Sequence, residues 1–130
     1  MTLDQEMFTG IVAAMRLRVG ARTWEDRRSL GRIPMQKCMA IIPYKSGVAG
    51  ESVNVWVRDI SAGGLGLIHT RAMETGEEFV ITLPRIDGTE LPVVCSVAHC
   101  ASLAPELFTI GAQFTSVLSQ ELPAQQRRSA

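Results

Sequence analysis

From Met35 to Phe114 the chain falls into short apolar runs, several of them closed by glycine or proline. Such punctuation is the mark of short strands joined by tight turns rather than of helices. The runs predict strands at Met35 to Ile42, ended by Pro43; Ser52 to Ile60; Leu65 to His69; Phe79 to Leu83, ended by Pro84; Leu91 to Cys100; and Phe108 to Phe114. Alternation is clearest in the second, with Val53, Val55 and Val57 on one side and Asn54, Trp56 and Arg58 on the other. Gly47 and Gly50 mark a loop over Lys45 to Glu51, Gly76 marks a turn, and Asp87-Gly88 is a favourable hairpin turn. Six strands of this kind predict an all-β fold, a closed six-stranded antiparallel β-barrel.

The first 20 residues follow a different period. Leu3, Met7, Phe8, Ile11, Val12 and Met15 share one stripe at helical spacing over residues 2 to 18. Thr2-Leu3-Asp4-Gln5 resembles a capping box, and Gly20 is a plausible stop. The stripe predicts an N-terminal amphipathic helix whose apolar face packs on the chain's own core or on a partner. Residues 119–130 are polar and read as a flexible tail, with a short C-terminal helix near Ser116 to Leu122 as an option. The organisation expected is thus a helix over residues 1–20, one barrel domain over 21–118 and a tail.

At 130 residues the chain suits a single domain, and its 46% apolar content suits a packed core. No apolar stretch approaches the roughly 18 residues of a spanning helix, and Asp4 and Glu6 precede the first apolar stretch where a signal peptide would be basic. Cys38, Cys95 and Cys100 are too few for a disulfide framework. Cys95 and Cys100 flank His99, but no second ligand pair accompanies them, which speaks against zinc. Buried free thiols and a reducing, cytoplasmic setting are expected. His69 and His99 stand alone, with no partner nucleophile, so solvent or structural roles are expected for both.

Charge is unevenly placed. The 13 basic and 13 acidic residues cancel overall, which excludes general coating of a nucleic-acid polymer. Residues 1–40 nevertheless carry seven bases against four acids, and residues 41–130 carry six against nine. Between Arg16 and Arg32 six arginines face only Glu25 and Asp26, a net charge of +4. So concentrated a charge favours an anionic partner over a merely solvated face.

Two motifs sharpen this. Arg27-Arg28-Ser29-Leu30-Gly31-Arg32 holds R-x-x-x-R at Arg28 and Arg32, with Arg27 ahead of it. Asp59-Ile60-Ser61-Ala62-Gly63-Gly64 reads D-x-S-x-x-G, where an alternating strand meets a Gly-rich turn. A guanidinium fork pairs with phosphate or with the N7 and O6 edge of guanine, and it stacks on purines. The Asp59 carboxylate can accept from guanine N1–H and the N2 amino group, the Ser61 hydroxyl can work on the same edge, and Gly64 allows close approach or positive φ. The set suits a guanine-containing phosphate ligand. Trp56 either lies beside this site on the outer face or packs at the rim.

The pair of motifs resembles the PilZ domain family, six-stranded β-barrels that bind the bacterial second messenger cyclic di-GMP. Its signature is R-x-x-x-R before the barrel and (D/N)-x-S-x-x-G on an early strand; both are complete here, with Arg28 and Asp59 31 positions apart. The run from Val57 to Leu67, then Thr75-Gly76-Glu77, then Ile110 to Phe114 also look like the family, and the likeness covers residues 24–118. It implies that Arg28 and Arg32 grip guanine edges and phosphates, that Arg27 adds a phosphate contact or a stack, that Asp59 and Ser61 read a guanine, and that Gly64 keeps the turn open. With Arg27 ahead of the motif, the resemblance also implies an intercalated ligand dimer.

The resemblance further implies a receptor and adaptor without catalysis, metal or cofactor, which orders its arginine segment on the ligand and signals to a downstream protein. A PilZ-like interaction module that does not bind the nucleotide is the alternative. A flavin-binding barrel enzyme is disfavoured, because no acid/base pair or cofactor motif is present. Ser61 has neither a nearby histidine base nor a G-x-S-x-G elbow, so it is not read as a nucleophile.

Overall fold

The computed structural model describes residues 1–16 and 32–118. The described residues form one helix, α1 (Gln5–Arg16), and seven strands: β1 (Ile33–Lys45), β2 (Val48–Ala49), β3 (Val53–Ser61), β4 (Gly64–His69), β5 (Glu78–Pro84), β6 (Glu90–Ala104) and β7 (Leu107–Val117). Six of the strands form a ring of antiparallel pairs in the order β1–β3–β4–β7–β6–β5, and β5 returns to β1. The expected six-stranded barrel is therefore present. β2 is a two-residue addition that pairs with β1 across the turn at Ser46 and Gly47.

The inner positions of the ring fill the barrel. Val55, Val57, Ile60, Leu65, Leu67, Phe79, Ile81, Leu83, Val93, Cys95, Val97, Ile110 and Phe114 are all buried in one cluster. Leu3, Ile11, Val12 and Met15 of the N-terminal stripe belong to the same cluster, with Met7 and Phe8 at its edge. The stripe thus packs on the chain's own core, against β1 and β5. Each such side chain removed from water contributes about 1.5–3 kcal/mol.

The helix begins later than the spacing predicts. Asp4 is its cap: the Met7 backbone N–H donates to Asp4 Oδ1 at 2.8 Å. Thr2 stands two residues ahead of that cap, and Leu3 N–H donates to the Ala62 carbonyl at 2.8 Å, which ties the leading residues to the turn after β3. The expected continuation to residue 18 and the stop at Gly20 lie outside the described residues, as does most of the expected last helix. Ser116, placed at the start of that helix, is instead in β7 opposite Val94.

Pro43 does not end β1. It pairs with Phe79 on β5, while its carbonyl accepts from Gly50 N–H on the other side. N and C=O of one strand residue point the same way, so the missing N–H of Pro43 faces away from β5 and costs no ladder bond there. The cysteines also differ from expectation: Cys95 is buried, Cys100 is half-buried and Cys38 is exposed. Cys38 stands opposite Trp56, an outward residue of β3, and so faces outward itself. Burial pushes the Cys95 thiol far up, which keeps it protonated and unreactive.

Two local features generate stability tests. Gly64 has no Cβ because one would fall on the carbonyl oxygen of Ala112, with the Ala112 carbonyl carbon and the Gln113 Cα each 3.1 Å away. Those are backbone atoms of the neighbouring strand and cannot swing aside. Gly64→Ala is expected to cost about 2–3 kcal/mol, whereas Gly63→Ala, with nothing near its added methyl, is expected to be close to neutral. Equal midpoints for the two variants in urea denaturation would contradict this packing. At the β6–β7 hairpin, Glu106 holds φ at 61°. That left-handed conformation is strained for a residue with a Cβ, so Glu106→Gly should stabilise by about 0.5–1 kcal/mol; a loss of stability would show that Glu106 has a compensating contact.

Candidate functional site

The site forms where β3 carries one residue too many. Val57 pairs with Leu67 on β4, but Asp59 pairs with Gly66, so Arg58 is left without a partner on β4. A bulge of this kind puts two consecutive side chains on one side of the sheet. Val57 and Ile60 remain buried, while Arg58 and Asp59 are both partly exposed between them. The β1–β3 ladder also shifts register, between Pro34 and Lys37, directly across from this point.

Asp59 is the centre of the cluster. Its Oδ1 accepts from Arg32 Nη1 at 2.6 Å, and its Oδ2 accepts from Arg58 Nε at 2.9 Å. The carboxylate is only 14% exposed, whereas Arg32 and Arg58 are 54% and 40% exposed. Two cations therefore converge on one shielded anion, and the excess positive charge faces solvent. Arg58 continues past Asp59 and donates from Nη1 to Thr109 Oγ1 on β7 at 2.8 Å. Ion pairs this open to water contribute little to stability, about 0–1 kcal/mol each; their effect is to hold the guanidinium groups in place.

The turn after Asp59 is fastened from several sides. Ser61 Oγ donates to the Gly64 carbonyl and accepts from Gly63 N–H, both at 3.3 Å. Leu3 N–H donates to the Ala62 carbonyl, and Phe114 N–H donates to the Gly63 carbonyl. The Met1 ammonium donates to the Phe114 carbonyl at 3.0 Å. Gly64 sits here through close approach to β7; the glycines with positive φ among the described residues are Gly47, Gly76 and Gly88.

Of the residues singled out from sequence, Arg32 and Asp59 are brought into direct contact. Ser61 and Gly64 lie on the adjoining turn, where the hydroxyl braces the loop. Arg27 and Arg28 lie outside the described residues. Trp56 is on the outer face, 43% exposed, two residues before Arg58. Sequence reasoning left out Arg58, Thr109 and Gly66. A Cβ on Gly66 would collide with the Arg58 guanidinium and stand 2.7 Å from Asp59 Oδ1, so this glycine makes room for the cluster. Its signal was the extra glycine in Gly64-Leu65-Gly66, but only strand pairing shows what lies above it. Among the described residues no group of three or more His, Cys, Asp or Glu side chains could hold a metal ion. No described helix is long and apolar enough to cross a membrane.

Among solved structures the chain is similar to the Bacillus subtilis inhibitor of motility, MotI/DgrA, with 15% sequence identity and a TM-score of 0.49. The match covers 72% of this chain and 44% of that one, so this chain spans less than half of its length. No curated protein matches. The PilZ domain family matches residues 26–128, a span that holds both arginine and aspartate motifs, and on that match the chain belongs to the PilZ domain family.

Proposed function

We propose that this chain is a receptor for cyclic di-GMP and passes the signal to a protein partner without catalysing a reaction. The observation that carries the reading is the Arg32–Asp59 contact, which joins the two halves of the family signature, 27 residues apart, in one place. Asp59 pairs with Arg32 and with Arg58. On binding, Asp59 turns to the N1–H and N2 amino edge of a guanine, and Arg32 is freed for a phosphate or for the N7 and O6 edge of a base. Arg28 supplies the second fork, Arg27 adds a phosphate contact or a stack, and Ser61 and Gly64 shape the turn beneath. A ligand with two phosphates and two guanines can satisfy all of these groups together. The extra Arg27 supports an intercalated pair of nucleotides, hence two per chain. The sparse free thiols fit a cytoplasmic receptor.

Isothermal titration calorimetry tests the reading. Wild-type protein should bind cyclic di-GMP at or below tens of micromolar, with about two nucleotides per chain. Arg28→Ala and Asp59→Ala should each cost about 2–5 kcal/mol, by analogy with buried charge pairs. Absence of binding by the wild type would favour the alternative, an interaction module without nucleotide. Unchanged binding in both variants would remove these residues from the site.

A further inference from the structure

The outer face of β4 and β7 carries a feature that the two signature motifs do not contain. Gly66 on β4 pairs directly with Gly111 on β7, and Gly111 pairs with His99 on β6. A strip bare of side chains therefore crosses two neighbouring strands. Two flat groups lie on it. The Arg58 guanidinium covers Gly66, with its Cζ 3.0 Å from where a Cβ would stand. The His99 imidazole covers Gly111: a Cβ there would fall on Nε2, with Cε1 2.6 Å and Cδ2 2.9 Å away. Three ring atoms this close to one point mean that the ring lies across the glycine rather than standing off it.

Cβ positions of directly paired residues are about 5 Å apart. The guanidinium and the imidazole thus lie side by side, next to the Arg32–Asp59 contact. Arg58 is fixed in this pose at both ends, by Asp59 and by Thr109. His99 is exposed.

We propose that Arg58 and His99, lowered onto the paired glycines, form a flat platform on which a purine base of the nucleotide stacks, and that His99 is a specificity-determining contact. The proposal rests on the cyclic di-GMP reading and extends it to a second wall of the site. A guanidinium plane and an aromatic ring both offer π-faces to a base, and stacking of this kind is worth a measurable share of nucleotide affinity. The glycines account for themselves in the same way: any side chain at Gly66 or Gly111 would lift one half of the platform.

The chain has only two histidines, which makes the test direct. His69 pairs with Phe108 at the other end of β4, away from the platform, so it serves as the internal control. In a carbon–proton NMR titration of the full chain with cyclic di-GMP, the His99 ring signal should move upfield and saturate with binding, while His69 stays in place. By calorimetry His99→Ala should weaken binding about tenfold, and His99→Phe should restore most of it, because a flat ring remains. Gly111→Ala leaves the imidazole in the chain but pushes it off the strand, and should weaken binding as much as His99→Ala; an unmoved His69 signal shows that the variant is folded.

If wild-type protein binds but the His99 signal is static and all three variants bind equally, the platform is wrong and the receptor reading stands. If wild-type protein does not bind cyclic di-GMP at all, the receptor reading fails and the platform falls with it.

Discussion

One unpaired residue in β3 decides where the charge of this protein is displayed. Without the bulge at Arg58, strict alternation would send either Arg58 or Asp59 toward the apolar interior. With it, Val57 and Ile60 keep the core closed while the two charged side chains emerge together. Asp59 then has one guanidinium on each oxygen, one from its own strand and one from the segment leading into β1. A carboxylate shielded this far from water needs such partners, and the exposed arginines need an anion to hold them in position.

The bulge works only because the neighbouring strands are bare beneath it. Gly66 admits the Arg58 guanidinium and the Asp59 carboxylate, Gly111 admits His99, and Gly64 lets β7 approach the turn that follows Asp59. That turn is also tied to the residues before α1 through Leu3 and Ala62. The backbone around Ser61 is thus joined to the residues ahead of the helix through Leu3, and through Phe114 to Met1. Under the proposed function, this contact is where a ligand bound at Asp59 meets the N-terminal element.

Much of the barrel was legible in the sequence, because its signals are local. Alternation in Val53 to Val57 and the breaks at Gly63, Gly64, Gly76 and Asp87-Gly88 depend on period and turn chemistry alone. The errors arose where a partner strand decides. Pro43 reads as a terminator until its N side is seen to face away from β5. Thr2 reads as a cap until Asp4 is seen to accept from Met7 N–H. The ends of β6 and β7 run on to Ala104 and Leu107 because the two strands support each other beyond the rest of the barrel. The site divides in the same manner: Asp59 and Arg32 are named by a motif, whereas Arg58, Gly66, Gly111 and His99 become neighbours only through register.

The central claim is an exchange of partners, in which Asp59 releases Arg32 to take up a guanine. A crystal structure of the full chain with cyclic di-GMP tests it most directly. The account predicts the Asp59 carboxylate within hydrogen-bond distance of a guanine N1 and N2, and Arg32 withdrawn to the nucleotide. A complex in which Arg32 still donates to Asp59, with the nucleotide seated elsewhere on the barrel, would contradict it.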